Sequence, residues 1–587
     1  MTFHAPPDSL PVPHAPDDVS IPQFFLDAAH PSRPARPASA PWLIEDHSGR
    51  EIYLEELKQR TSDLANAMSS KWCVSEGDVV CIFSPNHVDY PVCVWASHRL
   101  GAIVTPANPG YTAPELAFQL ETTKATLLLA FSAFLPTALA AADKAGLSQD
   151  RIVVIEPTAA SYDGSHETVS GLIRAGGSQP QAYVERKLDA GEARTKVAFY
   201  CFSSGTTGKP KAVVIPHYAV VANVMQMVAH FRIDDEGMQH KHMNPGDVAL
   251  GALPFFHIYG LVVVMHYMLF AGTSLVVIPK FNFTEFLQSV VKYKISVLFV
   301  VPPQIVLLCK HPATKDYDLS HVRLCCSGAA PLTGDLMVTL QAILPNATIG
   351  QGYGMTETCA TITFLGGAQK MGTVGSAGQI IPGVAARVVR PDGALCGEGE
   401  EGELVVTGPS MALGYLNDEK ATRETFVDGW VRTGDEVVIR DSEIFIVDRL
   451  KVDDYCFFFY EFHPDLRQEI LKVKGFQVAP AELEGHLLLH SAVVDACVVG
   501  IPDDYCGEIP LAFVVLRAEH TTRTCADPRY GEALKAALQQ HVAREKIAYK
   551  HLTGGVVFID AVPKNPSGKI LRKDLRSRAR QFAVVSS

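Results

Sequence analysis

The sequence has no apolar run long enough to cross a membrane. Such a span needs roughly 18 or more predominantly apolar residues, and the best candidate, around Leu261–Ala271, is short and carries His266. A secretory signal is missing too: Met1–Ala40 is rich in Pro, His and Asp, without a basic start and an apolar stretch behind it. That stretch reads as a disordered or loosely attached leader. The thirteen cysteines include no Cys-x-x-Cys pair. An odd count without an export signal suggests reduced thiols and a cytoplasmic setting. The chain ends Val585-Ser586-Ser587, which is not a peroxisomal address of the Ser-Lys-Leu type. Positive charge is scarce: a formal net charge of −12 argues against nucleic acid or an anionic membrane as the main partner. No repeat with a period of roughly 20–50 residues is present. What remains is a globular chain of 587 residues, 47% hydrophobic and 19% charged, long enough for several core-bearing units.

From about Ile44 to Val447, short Val/Ile-rich runs alternate with amphipathic segments. Val79–Phe83, Ala102–Pro106, Ala125–Phe131, Ile152–Ile155, Leu275–Ile278 and Val297–Val301 read as buried strands, and Tyr90–Leu100 as a helix. This alternation predicts parallel sheets covered by helices. From Gly383 onward, turn signals at Pro391-Asp392-Gly393 and Gly397-Glu398-Gly399 separate short strands such as Glu403–Val406, which predicts a small β subdomain. A boundary near Asp448 precedes a compact α+β tail.

The most informative run is Ser203-Ser204-Gly205-Thr206-Thr207-Gly208-Lys209-Pro210-Lys211, which follows the β-favouring Val197–Phe202. Hydroxyls and backbone N–H groups can donate to phosphate oxygens, glycine lets the backbone come close, and lysine adds positive charge. The chemistry suggested is polyphosphate handling; an ordinary polar hairpin loop is the alternative. The Walker pattern fails on spacing, because Gly205 and Gly208 are separated by two residues where that pattern has four before its Gly-Lys pair. Pro210 also argues against a helix opening directly on the loop. A second run is Gly352-Tyr353-Gly354-Met355-Thr356-Glu357. Its glycines let a base lie against the backbone and Tyr353 offers a stacking face. Thr356 can reach a phosphate, and Glu357 is a hard oxygen ligand of the kind Mg²⁺ prefers beside phosphates.

The first run resembles the phosphate loop of the adenylate-forming (AMP-binding) superfamily, which includes acyl-CoA ligases, 4-coumarate–CoA ligases, luciferases and stand-alone adenylation domains. Further motifs follow in that family's order, and the resemblance spans about Pro22 to Arg576. The wording of Gln351–Met355 and Gln477–Glu484 is most similar to the 4-coumarate–CoA ligase branch. The fold implied is α/β: a large N-terminal domain of stacked parallel sheets with helices and a small β subdomain (41–447), a hinge (448–451), and a smaller α+β C-terminal domain (469–587). The resemblance implies that Ser203, Ser204, Gly205, Thr206, Thr207, Gly208 and Lys211 bind the phosphates of ATP. It places Gly328, Ala329, Ala330, Gln351, Gly352, Tyr353, Gly354 and Thr356 around AMP, and Glu357 on Mg²⁺. Asp435, in Thr433-Gly434-Asp435, takes the ribose hydroxyls, as a carboxylate can, with Arg449 nearby and Lys451 beside the nucleotide. Lys569, in Pro563-Lys564-Asn565-Pro566-Ser567-Gly568-Lys569, would by the same resemblance be the adenylation lysine, with Thr356 and His257 as further catalytic candidates. His257, Tyr259, Gly260, Val264, Ala330 and Gly354 would shape the acid pocket. Lys280, Lys472, Lys474 and Gly475 would meet coenzyme A.

One departure stands at the hinge. In the family, Asp-Arg-Leu-Lys runs almost directly into a Glu-Ile-Leu-Lys pattern. Here 17 residues, 452–468, separate Lys451 from Glu469-Ile470-Leu471-Lys472. The segment reads as a retained intron translated in frame or as a genuine insertion, and its place predicts impaired thioester formation. The function expected is an ATP- and Mg²⁺-dependent acid–CoA ligase for an aryl or medium-chain carboxylic acid. Three alternatives share the motifs: an adenylation enzyme loading a carrier protein that is not fused to it, a luciferase-like oxygenase, and a nucleotide-binding protein disabled by the insertion.

Overall fold

The computed structural model describes residues 1–156, 164–203, 210–235, 242–329, 332, 334–367, 369–449 and 471–563, with 572, 575, 576, 578 and 579; at 448, 449, 477, 481 and 525 it describes the backbone alone. The short β-branched runs form strands because they carry no polar alternation and are buried on both faces. Val79–Phe83, Ile103–Ala107, Leu127–Phe131 and Ile152–Ile155 are parallel neighbours in a seven-stranded sheet. Val197–Ser203 joins it beside Ile103–Ala107 and pairs antiparallel with Lys211–Pro216. A second seven-stranded sheet runs in the order Thr348–Gln351, Leu324–Ser327, Val297–Val300, Val248–Gly251, Ser274–Val277, Leu43–Glu45 and Glu51–Ile52. The expected strand and helix positions agree with these elements to within a residue or two; the helix is Tyr90–Arg99.

Between the sheets lies the main core, where Phe24 stacks on Phe270 with centroids 5.4 Å apart and Trp95 donates from Nε1 to His266 Nε2 at 3.2 Å. The apolar segment around Leu261–Ala271 belongs here. It runs through the π-helical stretch Tyr259–Tyr267 into the short helix Met268–Phe270 and is buried throughout. Among the described residues no helix is long and apolar enough to cross a membrane.

Two expectations need correction. The expected β subdomain is a nine-stranded sheet that begins before Gly383, at Tyr353–Met355 and Ala360–Phe364, and ends on Trp430–Arg440 and Glu443–Arg449. The first forty residues are no loose leader. Phe3–His4 pairs with Ala385–Val389 at one edge of that sheet. Ile21, Phe24 and Phe25 are fully buried, and Asp17 and Asp27 pair with Arg194 and Arg99 at 2.8 and 3.0 Å. A few well-placed apolar anchors outweigh the Pro-rich composition between them.

The C-terminal domain is a five-stranded sheet centred on the long hairpin Val493–Asp503 and Gly507–Leu516, with Leu471–Val473 and Phe476–Val478 forming a small hairpin at one edge. The helices Pro480–Leu487 and Pro528–Glu545 cover one face through Leu483, Leu487, Leu534, Leu538 and Val542. Val562, Leu575 and Ala579 pack with Cys497, Val499, Leu511 and Phe513 in a separate cluster.

Candidate active site

A cavity of about 190 Å³ opens where the three sheets and the C-terminal domain meet. Its position follows from topology: in α/β folds the carboxyl ends of parallel strands and the loops after them form the binding crevice. Ser203 ends one such strand, Gly328 and Ala329 follow another (Leu324–Ser327), and Gly352 follows a third (Thr348–Gln351).

The phosphate-loop region is a hairpin, with Ser203 facing Lys211 in the antiparallel register. Behind it the described chain continues from Pro210 as the strand Lys211–Pro216 and not as a helix, as Pro210 predicts. Ser204, Gly205, Thr206, Thr207 and Gly208 lie outside the described residues. Ser203 lines the cavity and its hydroxyl donates to Glu357 Oε1 at 2.9 Å. Tyr415 donates to the same oxygen at 2.9 Å. Burial, and then the neighbouring Glu357 carboxylate, push the Tyr415 phenol far above its ordinary range, so it stays protonated and can donate. Lys211 turns toward Asp418, 3.9 Å away, and toward the Tyr415 ring at 5.1 Å.

Tyr353, Gly354, Met355 and Thr356 form another wall. Tyr353–Met355 pairs antiparallel with Ala360–Phe364, with a bulge between Tyr353 and Gly354. The Tyr353 hydroxyl donates to Asp435 Oδ2 at 2.6 Å, which brings two of the expected nucleotide residues into contact. The strand register sets Arg449 opposite Asp435; its backbone alone is described. Gly354 is demanded by close approach, because a Cβ there would fall 1.4 Å from the Ala360 carbonyl oxygen. The Gln351 carboxamide is engaged with backbone at both ends, accepting from Leu332 N–H at 2.7 Å and donating to the Ser376 carbonyl at 2.9 Å. It holds the wall in place.

His257 and Tyr259 line the cavity. Burial lowers the His257 imidazole to about 4, so it is neutral near pH 7. The Tyr259 ring fills the space a side chain at Gly328 would need: a Cβ there would lie 2.7 Å from Tyr259 Cε1. The Tyr259 hydroxyl is buried and has no hydrogen-bond partner among the described residues. Gly260 and Val264 are not in the lining. Gly260 backs onto the Pro254 carbonyl, 2.0 Å from where its Cβ would be, and Val264 is fully buried in the core. The helical run carries both away from the cavity. Lys280 is exposed and also outside the lining. Ala330, Lys451, Lys569 and the whole segment 452–468 lie outside the described residues.

The C-terminal domain supplies the remaining wall through Lys472, Gly475 and Phe476, at the tip of the small hairpin, with Ala479, Glu482, Tyr549 and Lys550. Gly475 has φ +84° and its Cβ position lies 3.6 Å from Val301 and 3.8 Å from Ala329. Lys474 lies outside the lining, its ammonium 5.5 Å from the Tyr505 ring. Phe476 stacks on Tyr549 at 4.5 Å and, across the domain boundary, on Phe256 at 6.5 Å. Sequence reasoning missed Tyr415, Tyr549 and Lys550. No local pattern marks them, since each acquires its role from partners far away in the chain.

Comparison with known proteins shows what the chain is similar to. The chain matches the family model described as AMP-binding enzyme over residues 28–416, and that described as AMP-binding enzyme C-terminal domain over 482–569. It is 37% identical to 4-coumarate–CoA ligase 5 of Oryza sativa subsp. japonica, covering 91% of each chain. It is 35% identical to 4-coumarate–CoA ligase 1 of Petroselinum crispum, covering 91% of this chain and 90% of that one. Among solved structures, o-succinylbenzoate CoA synthetase from Bacillus subtilis superposes with a TM-score of 0.72 at 24% identity, covering 92% of this chain and 96% of that chain. An amide bond synthetase from Marinactinospora thermotolerans superposes with a TM-score of 0.76 at 21% identity, covering 95% and 99%. At these identities the structural likeness is one of fold.

Proposed function

The chain belongs to the AMP-binding enzyme family and works as an acid–thiol ligase; from that premise we propose that its acid is an aryl acid of the 4-coumarate type or a medium-chain acid, and its thiol coenzyme A. One observation carries the reading: a single cavity is walled on one side by Ser203, Tyr353, Thr356 and Asp435, and on the other by the Lys472–Phe476 hairpin of the second domain. The first set suits a nucleoside phosphate and the second suits an incoming thiol.

In this reading the acid enters beside His257 and Tyr259. Its carboxylate oxygen attacks the α-phosphorus of ATP, the bond to the β-phosphate oxygen breaks, and pyrophosphate leaves. Asp435 accepts from the ribose hydroxyls, with Tyr353 holding the carboxylate in place. Thr356 donates to phosphate oxygen, and Lys569 neutralises charge on the α-phosphate. The thiolate of coenzyme A then attacks the acyl carbon, and AMP departs with the bridging oxygen. The neutral His257 keeps positive charge out of the acid pocket.

The oxygen donors present fit Mg²⁺, which is commonly held by one or two carboxylates plus substrate phosphates. Glu357, 6% exposed and fixed by the Ser203 and Tyr415 hydroxyls, would hold it. When bound, the ion would offset the negative charge of the triphosphate.

The test is acyl-CoA formation, read by mass spectrometry, with ATP, Mg²⁺, coenzyme A and a panel of aryl and medium-chain acids. The full chain and a version lacking 452–468 are run side by side. We expect product from the shortened chain and at least several-fold less from the full one. No product from either with any acid of the panel would refute the substrate assignment. Equal product from both would show that the hinge tolerates the insertion.

A further inference from the structure

A buried charge cluster lies where the C-terminal domain meets the N-terminal one. Glu115 is the third residue of the helix Ala113–Thr123 and closes a capping box with Thr112. The Thr112 N–H donates to Glu115 Oε2 at 2.9 Å. The Thr112 hydroxyl lies 2.9 Å from that same oxygen and 3.0 Å from the Glu545 carbonyl of the other domain. Glu115 Oε1 accepts from Lys550 Nζ at 3.1 Å. Lys550, 4% exposed, also donates to Glu482 at 2.9 Å, as does Lys546 at 2.9 Å. Burial alone would lower the Lys550 ammonium, but Glu482, Tyr549 and Glu115 carry it well above its ordinary value. It is a fixed cation.

The cluster is divided unequally between the domains. Lys550, Lys546 and Glu482 travel together on the C-terminal domain, with two cations to one carboxylate. Glu115 supplies the second carboxylate only while this interface is closed. The same interface delivers the hairpin to the cavity. Lys550 follows Tyr549, Tyr549 stacks on Phe476, and Phe476 follows Gly475, which sits against Val301 and Ala329.

We propose that Glu115 is a positioning residue that latches the C-terminal domain, through Lys550, in the orientation that presents the Lys472–Phe476 hairpin for thioester formation. The proposal rests on the two-step ligase reading. A pair buried at an interface is worth keeping only while its geometry is good, and removing one partner leaves the other charge buried with less compensation. The latch therefore favours one orientation specifically. It does nothing for an orientation in which Lys550 is turned into solvent.

Glu115→Gln isolates this role. Glutamine also occurs at the third position of a capping box, so its carbonyl oxygen can keep the bond from Thr112 N–H while its NH2 faces Lys550; the helix start is retained, and the charge and the acceptor for Lys550 are lost. Three measurements on the full chain decide. The first is acid-dependent exchange of pyrophosphate into ATP, which reads adenylation. The second is single-turnover transfer from preformed acyl-adenylate to coenzyme A. The third is hydrogen–deuterium exchange over residues 108–115 and 545–551. Transfer should slow about tenfold, as weakening a buried charge pair predicts. Exchange of pyrophosphate should stay within about twofold, and both segments should lose protection while the melting temperature holds. Unchanged transfer with unchanged protection overturns the latch. An equal fall in both half-reactions also overturns it, because it marks a structural role. If the parent chain exchanges no pyrophosphate, the ligase reading fails, and the protection data alone decide the latch.

Discussion

Glu357 gathers three separate stretches of sequence at one carboxylate oxygen, through the hydroxyls of Ser203 and Tyr415. A residue held this way is poised by its neighbours and not by its own rotamer preference. Gly354 shows the same dependence in its backbone. Alanine there would drive a methyl into the Ala360 carbonyl, so the strands Tyr353–Met355 and Ala360–Phe364 must part. Overpacking of this kind costs about 1–3 kcal/mol or more. Gly354→Ala should therefore lower the melting temperature by several degrees and abolish acid-dependent pyrophosphate exchange. Gly485→Ala, with nothing within 4 Å of the new methyl, should do neither. Equal behaviour of the two variants in calorimetry would contradict the close-approach account. Residues read from a motif of fixed spacing, such as Tyr353, Thr356 and Asp435, do line one cavity. Gly260 and Val264, which the resemblance put in the acid pocket, do not: Gly260 lies against the Pro254 carbonyl and Val264 is buried in the core.

At the scale of elements, the strands with uninterrupted apolar runs were legible, since burial on both faces leaves a plain signature. The strand leading into the phosphate loop was also legible, and Pro210 spoke against a helix directly behind it; the returning strand Lys211–Pro216 was not read. Two features were hidden. The N-terminal forty residues carry their anchors, Phe3, Ile21, Phe24 and Phe25, among prolines and charges, so composition pointed to disorder while packing made structure. The docking of the C-terminal domain was invisible for a different reason. Its contacts join Glu115 to Lys550 and Phe256 to Phe476 across hundreds of residues, and no periodicity connects such partners. Lys472, Lys474 and Gly475 were marked by the resemblance, but that they sit on the hairpin Leu471–Val473 and Phe476–Val478 was not read, and where it points follows from that interface.

For the molecule as a whole, the buried histidines set an acid limit. Burial lowers His98 to about 3 and His230, His257 and His266 to about 4, from 6.5. The unfolded chain therefore binds more protons than the folded one between those values, and stability rises with pH in that window. The melting temperature should fall as pH drops from 6.5 toward 4, with no such loss above pH 7; an unchanged midpoint would refute the burial of these rings. The central claim is that the carboxylate oxygen of the acid attacks the α-phosphorus of ATP. The direct test uses acid labelled with ¹⁸O in its carboxylate and follows the label by mass spectrometry through complete turnover. One labelled oxygen recovered in AMP is the result this account predicts. Unlabelled AMP, or label in inorganic phosphate alongside ADP, would contradict it.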